Sequence, residues 1–194
     1  MPIYQIYLCD QNEQYVNELQ RIRPCYGIYN MAVITGNIFD LRADAIVVPT
    51  NTFGFMTSNF ELSCINLFGI SIQNELHKKI KKTNMQELLV GQSICIKTNN
   101  YKLKNCIFSP IIRIPNILTD VYPIYLATKS AVLCAIENNF ETIAIPGIGI
   151  ETGRAPYAPA ANAMLLGIKD AIYKNDFPES LQSEKERFNK FIFQ

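Results

Sequence analysis

Charge of either sign is nearly absent in excess: Lys and Arg total 18, Asp and Glu 17, for a formal charge of +1 over 194 residues. A general binder of nucleic acid or of anionic membrane needs a basic excess or a basic face, so both classes are excluded. Any anionic ligand must then be met locally. No apolar run approaches the length that crosses a bilayer. The opening stretch from Met1 to Leu8 also lacks the charged start of a secretion signal, so no membrane partner and a cytoplasmic location are expected. Cys-x-x-Cys pairs are missing too. Cys9, Cys25, Cys64, Cys95, Cys106 and Cys134 lie mostly in apolar runs and read as reduced core thiols rather than metal ligands or disulfides. Only one histidine is present, His77, inside the basic run His77-Lys78-Lys79-Ile80-Lys81-Lys82. A Ser-His-Asp or Cys-His engine therefore has little to be built from. That basic run suits the negative end of a helix and water better than a polyanion. No metal cluster is visible and no cofactor is expected.

What is present is enough apolar material for a sizeable core: 48% of the residues are hydrophobic and 18% charged. The expectation is a single domain over 1–194, with a strand-helix extension at 1–25 and a helix or tail at 178–194. Strand-like and helix-like segments alternate. Ile3 to Leu8 reads as a strand, followed by a helix capped by Asp10 with Glu13 and carrying Tyr15, Leu19 and Ile22 on one face. Pro24 ends that helix. Strands are expected at Tyr26 to Thr35, Ala45 to Val48, Ser93 to Ile96 and Cys106 to Ser109, the last closed by Pro110. Helices are expected at Ile70 to Lys82, from Thr119 or Asp120 to Asn138 with Leu126, Ser130, Leu133 and Cys134 inward, and after Pro156 with Ala161, Met164, Leu165, Ile168 and Ile172 inward. The tail, with Phe188, Phe191, Ile192 and Phe193, reads as an amphipathic helix docking on the sheet. Phe53, Phe55, Phe60 and Phe68 surround a polar knot at Thr57-Ser58-Asn59, either as a pocket wall or as a plug under a loop.

The most informative stretch runs from Glu141 to Pro156. Ile143 to Ile145 suits a strand buried on both faces, and Gly147, Gly149 and Gly153 follow at once, just before a helix start. A strand, a glycine-rich loop and a helix can cradle a phosphate on backbone amides alone; the same glycines also suit a turn that serves only packing. Alternation of this kind implies an α/β fold, a mostly parallel or mixed sheet covered by helices on both faces. Gly36-Asn37-Ile38, Asn51 and the loop from Gly147 to Gly153 each follow a strand directly, on the side where open α/β sheets form a ligand crevice. Amide side chains flanking a phosphate cradle point to a nucleotide diphosphate.

These residues resemble the macro domain, a family that binds ADP-ribose and in some branches removes it from proteins or nucleic acids. The resemblance runs from about Tyr26 to Ile172. Val33-Ile34-Thr35-Gly36-Asn37-Ile38-Phe39 is similar to the family's Gly-Asp-Ile motif, and Ala43 to Asn51 to the strand ending in its ribose-binding asparagine. Asn51-Thr52-Phe53-Gly54-Phe55-Met56 and Pro110 to Pro115 are similar to a bacterial and phage-associated branch. The resemblance implies a three-layer α/β/α mixed sheet. It also implies that Asn37 meets the adenine amino group, the Ile38 amide the base, Asn51 the distal ribose, and Gly149, Ile150, Glu151, Thr152 and Gly153 the diphosphate. The candidate ligand-binding set is Gly36, Asn37, Ile38, Asn51, Gly147, Ile148, Gly149, Ile150, Glu151, Thr152, Gly153 and Arg154. Glu61, with Asn51, is the catalytic candidate: it is similar to the acidic residue that some hydrolytic members place near the distal ribose, and it equally suits a helix start.

The chain departs from the family twice. Met56-Thr57-Ser58-Asn59 stands where a glycine run is usual, and Glu151 stands where a loop glycine is usual. A carboxylate about 4 Å from a phosphate charge would cost on the order of 4 kcal/mol at an effective dielectric near 20. Outward orientation of Glu151, or pairing with Arg154, would preserve the site. Three functions follow as expectations: an ADP-ribose or related nucleotide binder; a hydrolase acting on an ADP-ribosylated macromolecule; and a degenerate fold used for protein contacts.

Overall fold

The computed structural model describes residues 3–173 and 177–192. Six strands form one sheet: β1 (Gln5–Asp10), β2 (Met31–Thr35), β3 (Ala43–Asn51), β4 (Ile94–Lys97), β5 (Leu103–Ile112) and β6 (Thr142–Ile145). Their order across the sheet is β2-β1-β6-β3-β5-β4. Every pairing is parallel except β4 with β5, which is an antiparallel hairpin at the edge. The mixed sheet is as expected. One of its two central strands is β6, whose Ile143, Ala144 and Ile145 are completely buried because helices cover both faces.

Side-chain alternation along the strands sorts the core into two layers. Ile6, Leu8, Ala45, Val47, Ile107, Ile143 and Ile145 point to one face. There they meet α1 (Glu13–Ile22), α4 (Tyr122–Glu137) and α5 (Tyr157–Ile172). Cys9, Ile46, Val48, Cys106, Phe108 and Ala144 point to the other face, against α2 (Asn59–Phe68) and α3 (Ser71–Ile80). Cys9, Cys64, Cys106 and Cys134 are buried free thiols. Burial holds Cys9 at a pKa of about 11, with Asp10 and Asp40 adding to the shift, so this thiol is a core filler and not a nucleophile.

Several local expectations are corrected. Asp10 does not cap α1; Asn12 does, accepting from the Tyr15 amide at 3.0 Å, while β1 runs on to Asp10. Tyr26 belongs to a one-turn 3-10 helix, so β2 begins only at Met31. Pro110 sits inside β5 and does not end it. The β4 pairing stops at Ile94 opposite Phe108, so at Pro110 the strand is paired on one side only, with Thr50 of β3. Asp120 Oδ1 accepts from the amide of Tyr122, the first residue of α4, at 2.8 Å, but Leu133 of that helix is exposed, whereas Ile124, Ala127, Thr128 and Ala131 are buried. The final helix, α6 (Leu181–Ile192), docks on helices and not on the sheet, through Phe188 against Tyr122 and Tyr125. Phe193, part of the expected amphipathic tail, lies outside the described residues. Among the described residues no helix is long and apolar enough to cross a membrane.

Candidate functional site

A cavity of about 800 Å³ opens at the carboxyl ends of the parallel strands. The tips of β2, β1, β6, β3 and β5 supply its floor in that spatial order, through Gly36 and Asn37, Asp10, Gly147, Thr50 and Asn51, and Ile112. Three strand spacings separate the tip of β2 from that of β3, about 14 Å at roughly 4.8 Å each. The cleft is an elongated groove.

The glycine loop lies across its middle. Gly149 has φ +78°, and a Cβ there would lie 2.7 Å from the Ile124 side chain; a Cβ on Gly153 would lie 2.6 Å from the Gly149 carbonyl oxygen. Only glycine fits both places. The loop is tied back through its carbonyls: Gly149 O accepts from the Ala155 amide at 3.0 Å, Glu151 O from the Arg154 amide at 3.3 Å, and Gly153 O from the Leu118 amide at 2.9 Å. The five consecutive amides from Gly149 to Gly153 donate to nothing among the described residues. A row of free amides that lines a cleft just before a helix start is an anion cradle. Two neighbouring amides are used elsewhere: Gly147 donates to Asp10 Oδ2 at 3.0 Å and Ile148 to Met164 Sδ at 3.4 Å.

Ile148 is fully buried and, with the exposed Arg154, does not line the cleft. Glu151 does line it, exposed at the rim, and its partner is not Arg154. Oε1 accepts from Asn59 Nδ2 at 2.8 Å, across the mouth of the groove.

At the β2 end, Asn37 Oδ1 caps a 3-10 turn by accepting from the Phe39 amide at 3.1 Å, which leaves its Nδ2 and the backbone amides of Asn37 and Ile38 without a partner among the described residues. Phe39 and Phe60 stack on each other, centroids 5.4 Å apart, and wall this end without filling it. At the β3 end, Asn51 is buried and largely occupied. Its Oδ1 accepts from the amides of Phe53 and Phe55 at 3.2 Å each, and its Nδ2 donates to Phe55 O at 2.7 Å. One Nδ2 hydrogen remains for a ligand.

Glu61 forms a capping box with Ser58 at the start of α2. Its Oε2 accepts from the amides of Thr57 (3.0 Å) and Ser58 (2.9 Å), and its own amide donates to Ser58 Oγ at 3.3 Å. The helix-start role is therefore real. Yet Glu61 Oε1, and with it Thr50 Oγ, is buried with no partner among the described residues, and both residues line the cleft. His77 stands apart from the groove, its Nε2 at 3.0 Å from Gly54 O. Arg113 also stands apart, paired with Glu87 at 2.8 Å and lying over the Phe53 ring. Among the described residues no group of three His, Cys, Asp or Glu side chains could hold a metal ion.

The sequence reading missed Cys9, Asp10, Gln11 and Asn12, as well as Thr50 and Asn116; of the four aromatics expected as a pocket wall or a plug, Phe60 lines the cleft and Phe53, Phe55 and Phe68 do not. The rule that placed Gly36 and Asn51 in the cleft, a polar residue directly after a strand, also selects Asp10 once β1 is extended to its true end.

A family model described as the macro domain matches residues 47–164. A protein of Aquifex aeolicus (strain VF5), described as uncharacterized, is 29% identical over 140 residues, which are 72% of this chain and 81% of that protein. The fold is similar to the macrodomain of Mycobacterium tuberculosis DarG, with a TM-score of 0.61 and 16% identity over 70% of this chain and 87% of that one. It is also similar to a variant of the Oceanobacillus iheyensis macrodomain solved with ADPR, with a TM-score of 0.62 and 14% identity over 81% of this chain and 90% of that one.

Proposed function

The chain belongs to the macro domain family, and from that premise we propose that its cleft binds ADP-ribose or a closely related nucleotide diphosphate. The observation that carries this reading is the row of free amides from Gly149 to Gly153 at the middle of a groove with polar groups at both ends. The diphosphate lies on those amides, which supply positive charge without the desolvation cost of a buried lysine. The base lies toward Asn37 and Ile38, where the Ile38 amide can donate to a ring nitrogen and Phe39 and Phe60 offer apolar contact. The distal ribose lies toward Asn51. Asn37 Oδ1 already accepts one backbone hydrogen bond, so the adenine amino group shares that oxygen, and this neutral acceptor is weaker than a carboxylate. A relative solved with ADPR supports the choice of ligand. The setting that fits is cytoplasmic. Calorimetry with ADP-ribose is expected to give a dissociation constant on the order of micromolar, about 8 kcal/mol of binding free energy. Absence of heat together with absence of a thermal shift at millimolar ADP-ribose would overturn the reading.

A second reading, removal of ADP-ribose from a modified macromolecule, is favoured by one observation: the partnerless Oε1 of buried Glu61 in the cleft wall. A carboxylate oxygen kept free there can accept a proton from a ribose hydroxyl or from water. Release of free ADP-ribose from an ADP-ribosylated protein or nucleic acid is the direct measurement, and no release with stoichiometric protein would reject it.

A further inference from the structure

Two positions depart from the pattern of the family, Asn59 in place of the usual glycine run and Glu151 in place of a loop glycine. They are each other's partners. Asn59 Nδ2 donates to Glu151 Oε1 at 2.8 Å, joining the first residue of α2 to the glycine loop across the groove that both residues line. We propose that Asn59 is a positioning residue that makes the phosphate cradle usable in this chain: it pins the Glu151 carboxylate at the rim and straps the two walls together over the ligand's diphosphate. The inference rests on the ADP-ribose reading and deepens it.

The physical argument starts from what Glu151 would otherwise do. Its carboxylate is tethered within a few residues of five amides that have no internal partner. An acceptor so tethered has an effective concentration of at least millimolar, which competes with a ligand of micromolar affinity. Arg154 does not restrain it, since no ion pair links the two. The one side-chain donor that reaches Glu151 among the described residues is Asn59. Held there, the carboxylate spends one oxygen on an amide hydrogen and stays in solvent, where its repulsion of a phosphate is screened.

The test is an ADP-ribose titration of the full chain and four variants. Asn59→Ala frees the carboxylate and is expected to weaken binding by about tenfold or more. Asn59→Asp sets a like charge against Glu151 and should weaken binding further, even though an acidic residue in the first turn favours α2 itself, so a folding failure cannot account for the loss. Glu151→Gln removes the charge, keeps an acceptor for Asn59, and is the reference against which the double variant is read. The decisive variant is Asn59→Ala with Glu151→Gln, which should bind within about threefold of Glu151→Gln alone, and more tightly than Asn59→Ala, because no charge remains to compete. Unchanged binding in Asn59→Ala, or a double variant as weak as Asn59→Ala, would overturn the proposal while leaving the ADP-ribose reading in place. A parent chain that binds no ADP-ribose would overturn both.

Discussion

Glu61 shows how one carboxylate can satisfy a structural demand and leave chemistry over. Oε2 takes the amides of Thr57 and Ser58 and so completes the capping box, whereas Oε1 has no partner among the described residues although it is buried. An unpaired buried acceptor costs about 1 to 3 kcal/mol, a cost a helix cap alone does not require. Glu61→Gln separates the two roles, because the amide oxygen can keep both cap bonds while the free acceptor becomes a donor. The expected outcome is a melting temperature near that of the parent, ADP-ribose binding retained, and release of ADP-ribose from a modified substrate reduced at least tenfold, about 1.4 kcal/mol of transition-state stabilisation. Glu61→Ala should instead also lose about 1 kcal/mol of stability with the cap. Equal release by the parent and Glu61→Gln would leave Glu61 with the cap alone.

Most elements were legible, including strands buried on both faces, but the direction a helix faces was legible only where one side of it is apolar. The stripe Tyr15, Leu19 and Ile22 identifies α1, and all three are buried. By contrast α4 is buried around most of its circumference, so periodicity gives no direction, and Leu133, expected inward, is exposed. Strand ends suffered similarly: the polar Asp10 looked like a helix cap, yet it is the last residue of β1 and holds the Gly147 amide. The opposite edge of the sheet has an anchor of its own in Asp44. Its Oδ2 accepts from the amides of Glu141 and Thr142 and from Thr142 Oγ, and its Oδ1 accepts from Lys104 Nζ at 2.8 Å, so β3, β5 and β6 start from one carboxylate. Burial alone would raise its pKa, but the hydrogen bonds from Lys104, Thr142 and the two amides outweigh it and hold the group below its ordinary 3.8. A depressed folded-state pKa stabilises the fold fully above the unfolded value, and that contribution is lost as pH falls through the lower folded value. Asp44→Ala is therefore expected to cost about 2 kcal/mol at pH 7, where two amides lose their acceptor. In urea unfolding that difference should shrink as pH falls below about 4. A pH-independent difference would mean that the charge of Asp44 is immaterial.

The groove itself exists only at the level of the whole chain. Its floor joins the tips of five strands whose spatial order differs from their order in sequence, and its strap joins Asn59 to Glu151 across 92 positions. Motifs after strands were readable one at a time; which tips are neighbours follows from long-range packing that no local pattern encodes. The same holds for the last helix. Its attachment is a buried ion cluster: Arg187 makes two bonds to Asp170, at 3.0 and 2.7 Å, and two to Glu184, while Tyr125 OH donates to Asp170 Oδ2 at 2.9 Å. The Asp170 side chain is fully buried and that of Arg187 is 29% exposed. Removing the cation from such a group costs more than a surface pair is worth, because the buried carboxylate stays behind. Arg187→Met keeps the apolar stem and should lower unfolding stability by about 2 to 3 kcal/mol, less than a wholly isolated charge because Tyr125 still donates. Arg187→Lys keeps the charge but loses the two-pronged geometry, so an intermediate loss is expected. None of these residues lines the cleft, so ADP-ribose affinity should be unchanged in both variants while amide exchange in α6 accelerates. Unaltered exchange there, with the full stability loss elsewhere, would show that α6 is held by Phe188 against Tyr122 and Tyr125 and not by the ion cluster.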